Sequence, residues 1–309
     1  MKKLMLINRM TVLNANALSS PYTIGVPAMT AVCGFMHALQ RHLNARKVEG
    51  RFCSVGIVYH ECQLQTHKGT GDYNASIIGT GNPLVPKTKK GHPGNAERPS
   101  FIEEARCHLT LSLLLEYENF DSQELADHVP EIIAAKMKFA GGDIITPLPE
   151  ITCTSVEKEE EKIILLRRMM PGFCLVERRE LMIDAMEKGM DGIDALLEFL
   201  KVTSQSEEDE NGRIEWTRTR QEKGWLVPIA VGFQGLTPPG EAVNQRDPET
   251  PHRFAEAVVT LGEFIMPYRI SSLDNMLWHY RDSIEDNLYL CEQNIPIKRE
   301  RKGENHGQN

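Results

Sequence analysis

Apolar positions follow two different periods along the first part of the chain. Leu4 to Val12 is almost continuously apolar, which predicts a buried strand. The small polar run Asn14, Ala15, Asn16, Ala17, Leu18, Ser19, Ser20, Pro21 then predicts a loop. Pro27 opens a predicted helix whose stripe, Val32, Phe35, Met36, Leu39 and Leu43, repeats with a 3.6-residue period. His37, Gln40, Arg41 and Asn44 lie off that stripe. Phe52–Gln65 predicts a second strand, with Cys53, Val55, Ile57 and Tyr59 on one face and Ser54, Gly56, Val58 and His60 on the other. The clearest alternation comes next: Cys107, Leu109, Leu111, Leu113 and Leu115 point one way, Arg106, His108, Thr110 and Ser112 the other. A helix is predicted from an N-cap at Ser122, with Glu124 in its first turn, to a C-cap at Gly141-Gly142. Asp143–Thr146 reads as short β.

The resulting order is strand, helix, strand, long loop, strand, helix, strand. That is the split βαβ, or ferredoxin-like, order of an α+β fold, shared with the RNA-recognition motif. Both helices would cover one sheet face, leaving Arg106, His108, Ser54 and His60 on the other. The aromatic signature that stacks bases in that module is absent. Residues 66–100 carry many glycines, four prolines and Lys68, Lys87, Lys89 and Lys90, which marks a long excursion without regular structure, functional or disordered.

Residues 1–150 are thus expected to form an RNA-binding domain and 151–309 a mixed helical and β region. In the latter, Val156–Met169, Arg178–Lys201 and Pro251–Met266 read as helices, the last on Phe254, Val258, Leu261 and Ile265. Trp225–Phe233 reads as a strand, 203–224 as an acidic mobile loop, and the tail from Lys298 as frayed and basic.

Charge sharpens this division. Residues 1–110 hold 13 Lys and Arg against 6 Asp and Glu, a balance of +7; the remainder holds 22 against 37, a balance of −15. The first half attracts polyanions and the second suits a protein partner, or the asymmetry is only uneven solvation of two surfaces. No run approaches the ~18 apolar residues of a membrane span, and Asn8 and Arg9 end the first apolar run too early for a signal peptide. The seven cysteines form no Cys-x-x-Cys pair, so neither a disulfide framework nor a metal site is expected, and the compartment reads as cytoplasmic. No cofactor is implied.

Enzyme signatures are missing: there is no P-loop, dinucleotide fingerprint, His-Glu-x-x-His or Gly-x-Ser-x-Gly. Gly79-Thr80-Gly81 reads as turn chemistry. His37, near Arg41, is either a general base of a metal-independent ribonuclease or a packed or phosphate-touching histidine. His60 and His108 could face each other across strands as a pair, or contact phosphate or bases singly. The lysines of 66–100 form a phosphate-binding tip or a solvated loop. Arg167-Arg168 and Arg178-Arg179 either hold phosphate or pair with the acidic half. Trp225, Trp278 and Tyr280 are core or partner interface.

Asn8–Pro21 and Gly34–Arg41 resemble the second-subunit family of the Csy surveillance complex, the type I-F branch of the Cas-five family of CRISPR proteins. Glu104–Leu109, Ala140–Gly142, Pro171–Val176, Gly224–Ile229, Glu249–Phe254 and Leu277–His279 add to the resemblance, in order along nearly the whole chain. Residues 45–51, 66–100 and 203–222 depart from the family pattern. The resemblance implies a ferredoxin-like palm with a thumb and no catalysis. It also implies grip on the crRNA 5′ handle together with the large subunit, contact with the first backbone (Cas-seven-like) subunit, and target DNA recognised by the guide near the protospacer-adjacent motif. Relatives of other subtypes cleave precursor crRNA, which keeps an endoribonuclease as the alternative. The residues expected at RNA are Asn8, Arg9, Asn14, Asn16, Ser19, Ser20, His37, Gln40, Arg41, His60, Arg106, His108, Gly141 and Gly142, with Arg167 and Arg168 as further phosphate contacts. Trp225, Leu277 and Trp278 are the expected partner anchors.

Overall fold

The computed structural model describes residues 1–78, 84–89, 92–97, 104–208, 212–240, 243, 245 and 247–294. Its frame is one antiparallel sheet whose centre is β1 (Lys2–Asn16), β3 (Arg106–Glu118) and β2 (Arg51–Leu64), in that lateral order. α1 (Met29–Ala45) and α2 (Ser122–Lys136) share one core with this sheet. The stripe Val32, Phe35, Met36, Leu39 and Leu43 packs there with Leu125, Val129, Ile132 and Ile133 and with Met5, Ile7, Val55, Ile57, Leu111 and Leu113. Each such side chain contributes roughly 1.5–3 kcal/mol of burial. The period-2 leucines of β3 therefore set which face is interior. On the outer edge of β1, the hairpin β4 (Lys138–Phe139) and β5 (Gly142–Ile144) pairs with Val12 and Leu13, and β6 (Glu150–Val156) pairs with Lys2–Asn8.

Further along come α3 (Glu159–Arg168), β7 (Phe173–Glu177), α4 (Arg179–Glu187), α5 (Gly192–Leu200), the ribbon β8 (Thr203–Glu208) and β9 (Ile214–Thr219), β10 (Leu226–Gly235), β11 (Ala255–Ile265), β12 (Trp278–Ser283) and β13 (Leu288–Gln293). The sheet continues from β2 in the order β7, β11, β10, β13, β12. β12 then returns to β2, where Trp278 lies opposite Val55, so these strands close a ring. Trp278 is fully buried, and its Nε1 donates to the carbonyl of Leu175 at 3.1 Å. A boundary at residue 150 falls inside this sheet, because β6 and β7 pair with β1 and β2.

The face away from α1 and α2 is divided. Leu4, Leu6, Val58 and Leu114 are covered by Leu165, Leu166 and Met169 of the α3 segment and by Ile270, Leu273 and Met276. Ser54 belongs to this covered end, where it donates to Glu116, the partner of Lys2. At the other end of the same strands the face is polar: among the described residues Arg9 and Asn14 are exposed there, and His60, Arg106 and His108 are half-buried.

Several expected elements differ. Asn14–Pro21 is not a loop: β1 runs to Asn16, and Leu18–Ser20 pairs with Thr23–Ile24. The cap of α2 is Asp121, whose carboxylate accepts from the N–H groups of Gln123 and Glu124. That helix ends before the two glycines, which belong to the β4–β5 hairpin, where Ala140 and Gly141 take φ of 48° and 76°. Arg178–Lys201 is two helices, interrupted at Gly189 (φ 96°) and restarted by the Asp191 cap. Pro251–Met266 is mostly strand β11: the β-formers Val258, Val259 and Thr260 outweigh a coincidental i, i+4 spacing. Residues 203–224 form the ribbon β8–β9 within their described part. The tail from Lys298 lies outside the described residues.

Candidate nucleic-acid interface

The polar end of the sheet is shaped by three irregularities. β1 loses register with β3 between Ile7 and Met10 and again between Val12 and Ala15; β2 does so between Tyr59 and Glu61. Arg9 (φ 46°) and Asn14 (φ 57°) occupy the first two, and His60 the third. A bulge leaves a residue unpaired and re-aims its side chain. The freed backbone groups must then find other partners, and here they find side chains of β3.

One cluster centres on Ser112, which is fully buried. Its Oγ accepts the N–H of Arg9 at 2.9 Å and lies 2.7 Å from Nε2 of His60 and 3.3 Å from Oδ1 of Asn8. Nδ1 of His60 lies 2.6 Å from the carbonyl of Pro171, which can only accept. The ring proton therefore sits on Nδ1, and Nε2 accepts from the serine hydroxyl. Burial lowers the pKa of His60 and outweighs the opposing bond to Pro171; the positive charge of Arg9 lowers it further. Gly172 makes the close approach possible, since a Cβ there would fall 2.8 Å from Nδ1 of His60. The Arg9 guanidinium donates to the carbonyl of Met170 at 3.0 Å, and Asn8 Nδ2 to Glu150 at 3.3 Å.

The second cluster sits at the far end of β1. The N–H of Asn14 donates to Nδ1 of His108 at 3.2 Å, and Gln65 Nε2 to Oδ1 of Asn14 at 2.7 Å. Arg106 Nη1 donates to the carbonyl of Asn14 at 3.2 Å, and its other branch pairs with Glu104. The β4–β5 turn closes this end: the N–H of Asn16 donates to the carbonyl of Ala140, and exposed Gly141 lies beside Arg106. Gly142 is buried, with space for a Cβ only 2.7 Å from the N of Ala15 and the O of Leu13.

These clusters bring together Asn8, Arg9, His60, Asn14, Arg106, His108, Gly141 and Gly142. His60 and His108 do not face each other: His108 lies opposite Gln63, and His60 reaches Ser112. Asn16, Ser19 and Ser20 serve their own turn. Asn16 Oδ1 accepts from the N–H of Leu18, and both serine hydroxyls bond Thr23 Oγ1. Gln40 is likewise structural, donating to the carbonyl of Gly50 and accepting from the N–H of Phe52. Phe52 lies opposite Tyr117, at the end of β3 remote from Arg106. At about 3.3 Å per residue the two ends are roughly 35 Å apart. Arg41 follows Gln40 on α1 and is exposed there, as is His37, whose ring lies 6.5 Å from that of Tyr280. Gln40 and Arg41, expected at RNA with Arg106, are therefore not gathered with it, because α1 lies across the sheet from the polar face.

Arg167 and Arg168 are exposed at the end of α3. Arg178 pairs with Glu180 and Glu263, and Arg179 with Glu292 at 2.5 Å, which favours the ion-pair reading of that dipeptide. Lys68 is exposed; Lys87 and Lys89 lie in the strand Val85–Lys89; Lys90 is outside the described residues. Leu277 (3% exposed) and Trp278 (0%) are interior, filled in by α3 and by the ring of strands, so they are not free anchors; Trp225 is 52% exposed. Sequence reasoning missed the roles of Ser112, Gln65, Glu104 and Pro171. The alternation of β3 placed Ser112 on this face, but only the bulges reveal what it holds.

Two comparisons with known proteins bear on identity. The chain is 33% identical to the CRISPR-associated protein Csy2 of Pseudomonas aeruginosa strain UCBPP-PA14 over 317 aligned residues, covering 93% of this chain and 94% of that protein. A family model described as CRISPR-associated protein (Cas_Csy2) matches residues 5–291. On both grounds, and with no stretch of the sheet frame outside the match except its first strand residues and last pairs, the chain belongs to the Csy2 family of CRISPR-associated proteins.

Proposed function

We propose that this chain is a non-catalytic subunit of a type I-F CRISPR surveillance complex. In this reading it holds the 5′ handle of crRNA with the large subunit, abuts the first Cas-seven-like backbone subunit, and supports guide-directed recognition of target DNA. The observation that carries it is the polar end of the β1–β3–β2 sheet in a Csy2-family chain, edged by Arg9, Arg106 and the exposed backbone of Gly141. Single-stranded RNA offers phosphates to such arginines and free base edges to Asn and His. The lateral order β5/β6–β1–β3–β2, with α1 and α2 in one core, supports a ferredoxin-like palm. Binding without cleavage fits the chemistry on this face: Ser112 is fully buried, its oxygen accepting from the N–H of Arg9 and its one proton given to His60, and His60 is held by a carbonyl.

The test compares three substitutions in the full chain bound to its large subunit, with handle RNA titrated at several salt concentrations. Arg9→Gln and Arg106→Gln should weaken binding to every RNA and each reduce the salt slope by about 0.7, as expected for one lost single-strand phosphate contact. Arg41→Gln should leave both unchanged. The reverse pattern, or site-specific cleavage of precursor RNA abolished by His37→Ala, overturns the proposal.

A further inference from the structure

An aromatic cleft of about 370 Å³ opens at the edge of β2, beside the polar face. Its lining includes Trp225, Phe173, Phe264, Tyr59, His60 and Glu61. Trp225 is braced from behind: its ring centroid lies 5.1 Å from that of Phe173 and 5.0 Å from that of Phe264, in edge and tilted contacts. Half of its surface remains open. A rigid, half-exposed indole is a stacking platform for a nucleobase. Tyr59 is 4% exposed, and its hydroxyl is buried without a hydrogen-bond partner among the described residues. Its ring forms part of the cleft wall. Among the described residues no Lys or Arg lines the cleft, and Glu61 does, so a phosphate is disfavoured and a neutral ring is not.

The cleft is continuous with the proposed RNA face. His60 lines it with one side and holds Ser112 with the other, and Glu61 accepts from Thr110 of β3 at 3.5 Å. We infer that the cleft receives one unpaired nucleobase of the bound RNA, stacked on Trp225, while Arg9 faces the neighbouring backbone. This rests on the RNA-binding reading above.

The test uses the full chain with its partner subunits and a series of handle RNAs, each with one abasic position. Trp225→Ala should weaken binding of intact RNA by roughly 5- to 100-fold, and Trp225→Phe much less. One abasic position should cost the wild type a similar factor and cost Trp225→Ala little further, the non-additivity expected of two groups in contact. A melting temperature for each variant separates stacking from folding. If wild type binds RNA but no abasic position couples to Trp225, the inference fails and the RNA-binding reading stands. If Trp225→Ala instead loosens a partner subunit with RNA affinity unchanged, the cleft takes a protein side chain and the inference is again overturned. If wild type binds no RNA, both fall.

Discussion

The backbone N–H of Asn14 donates to Nδ1 of His108 across the β1–β3 pair, and this bond replaces the ladder hydrogen bond that the bulge removes. The side chain of Asn14 is exposed and, among the described residues, tied only to Gln65. Backbone and side chain can therefore be tested apart. Asn14→Gly keeps the φ of 57° without strain, whereas Asn14→Ala does not. If the amide reads RNA, the Gly variant should lose on the order of 1 kcal/mol of affinity for the cognate handle, one hydrogen bond's worth, with a nearly unchanged melting temperature. An unchanged ratio of cognate to scrambled affinity would assign Asn14 to the fold alone.

Gly142 and Gly141 are adjacent but answer to different constraints. At Gly142 a methyl group would sit 2.7 Å from backbone atoms of Ala15 and Leu13, which cannot yield without breaking the β1–β5 pairing. At Gly141 a methyl group would meet, among the described residues, only Arg106 Nη1 at an ordinary 4.0 Å, and the φ of 76° is what resists a side chain. Gly141→Ala should cost about 1–2 kcal/mol of unfolding free energy, and Gly142→Ala more, about 1–3 kcal/mol of overpacking with loss of the turn. Urea unfolding of both variants decides; equal costs would mean that the hairpin moves freely off β1.

How much of this was legible beforehand depends on the kind of signal. The apolar stripe of α1 and the alternation of β3 specify burial directly, and Leu39, Leu43, Leu109 and Leu113 are all fully or almost fully buried. The family resemblance, carried by segments such as Pro171–Val176, also held. What stayed hidden is positional. Ser54 and His60 share a strand face by period, yet one lies under the α3 end and the other at the open end. The bulges at Arg9, Asn14 and His60 decide which polar groups meet, and a bulge has no hydrophobic period to betray it. Val258, Leu261 and Ile265 fit a helix spacing as well as a strand, and only pairing with β7 and β10 resolves them.

Ser112 links three elements with one hydroxyl, so its loss should be felt in the fold before the chemistry. Ser112→Ala leaves the N–H of Arg9 and Nε2 of His60 without their partner in a buried site. The expected cost is about 1–3 kcal/mol, the penalty for an unsatisfied buried group. Ser112→Cys, which keeps a weak donor and similar size, should recover part of it. Chemical denaturation of the three proteins checks this, and a neutral Ser112→Ala would show that Arg9 is not held by the bulge.

Glu177 supplies a pH-dependent prediction far from the RNA face. It is 3% exposed, and it accepts the N–H of Gln293 at 3.0 Å while its own N–H donates to the Gln293 side chain at 2.8 Å. Arg179 stands 3.7 Å away, but its guanidinium is already committed to Glu292 at 2.5 Å. Burial therefore prevails over the arginine and pushes Glu177 from an ordinary 4.5 up to about 7. The folded state holds this proton more tightly than the unfolded state does. Stability from this group is thus fully present below about pH 4.5 and is lost as pH rises through 7. Glu177→Gln keeps an oxygen for the Gln293 N–H and removes the carboxylate that must otherwise be buried. Its unfolding free energy should approach wild type toward pH 4 and exceed it at pH 8, by up to about 3 kcal/mol for the whole shift. Urea unfolding at pH 5, 6, 7 and 8 measures the difference. A gain independent of pH, or a loss that grows toward pH 8, would show that Arg179 keeps Glu177 ionised in the folded protein.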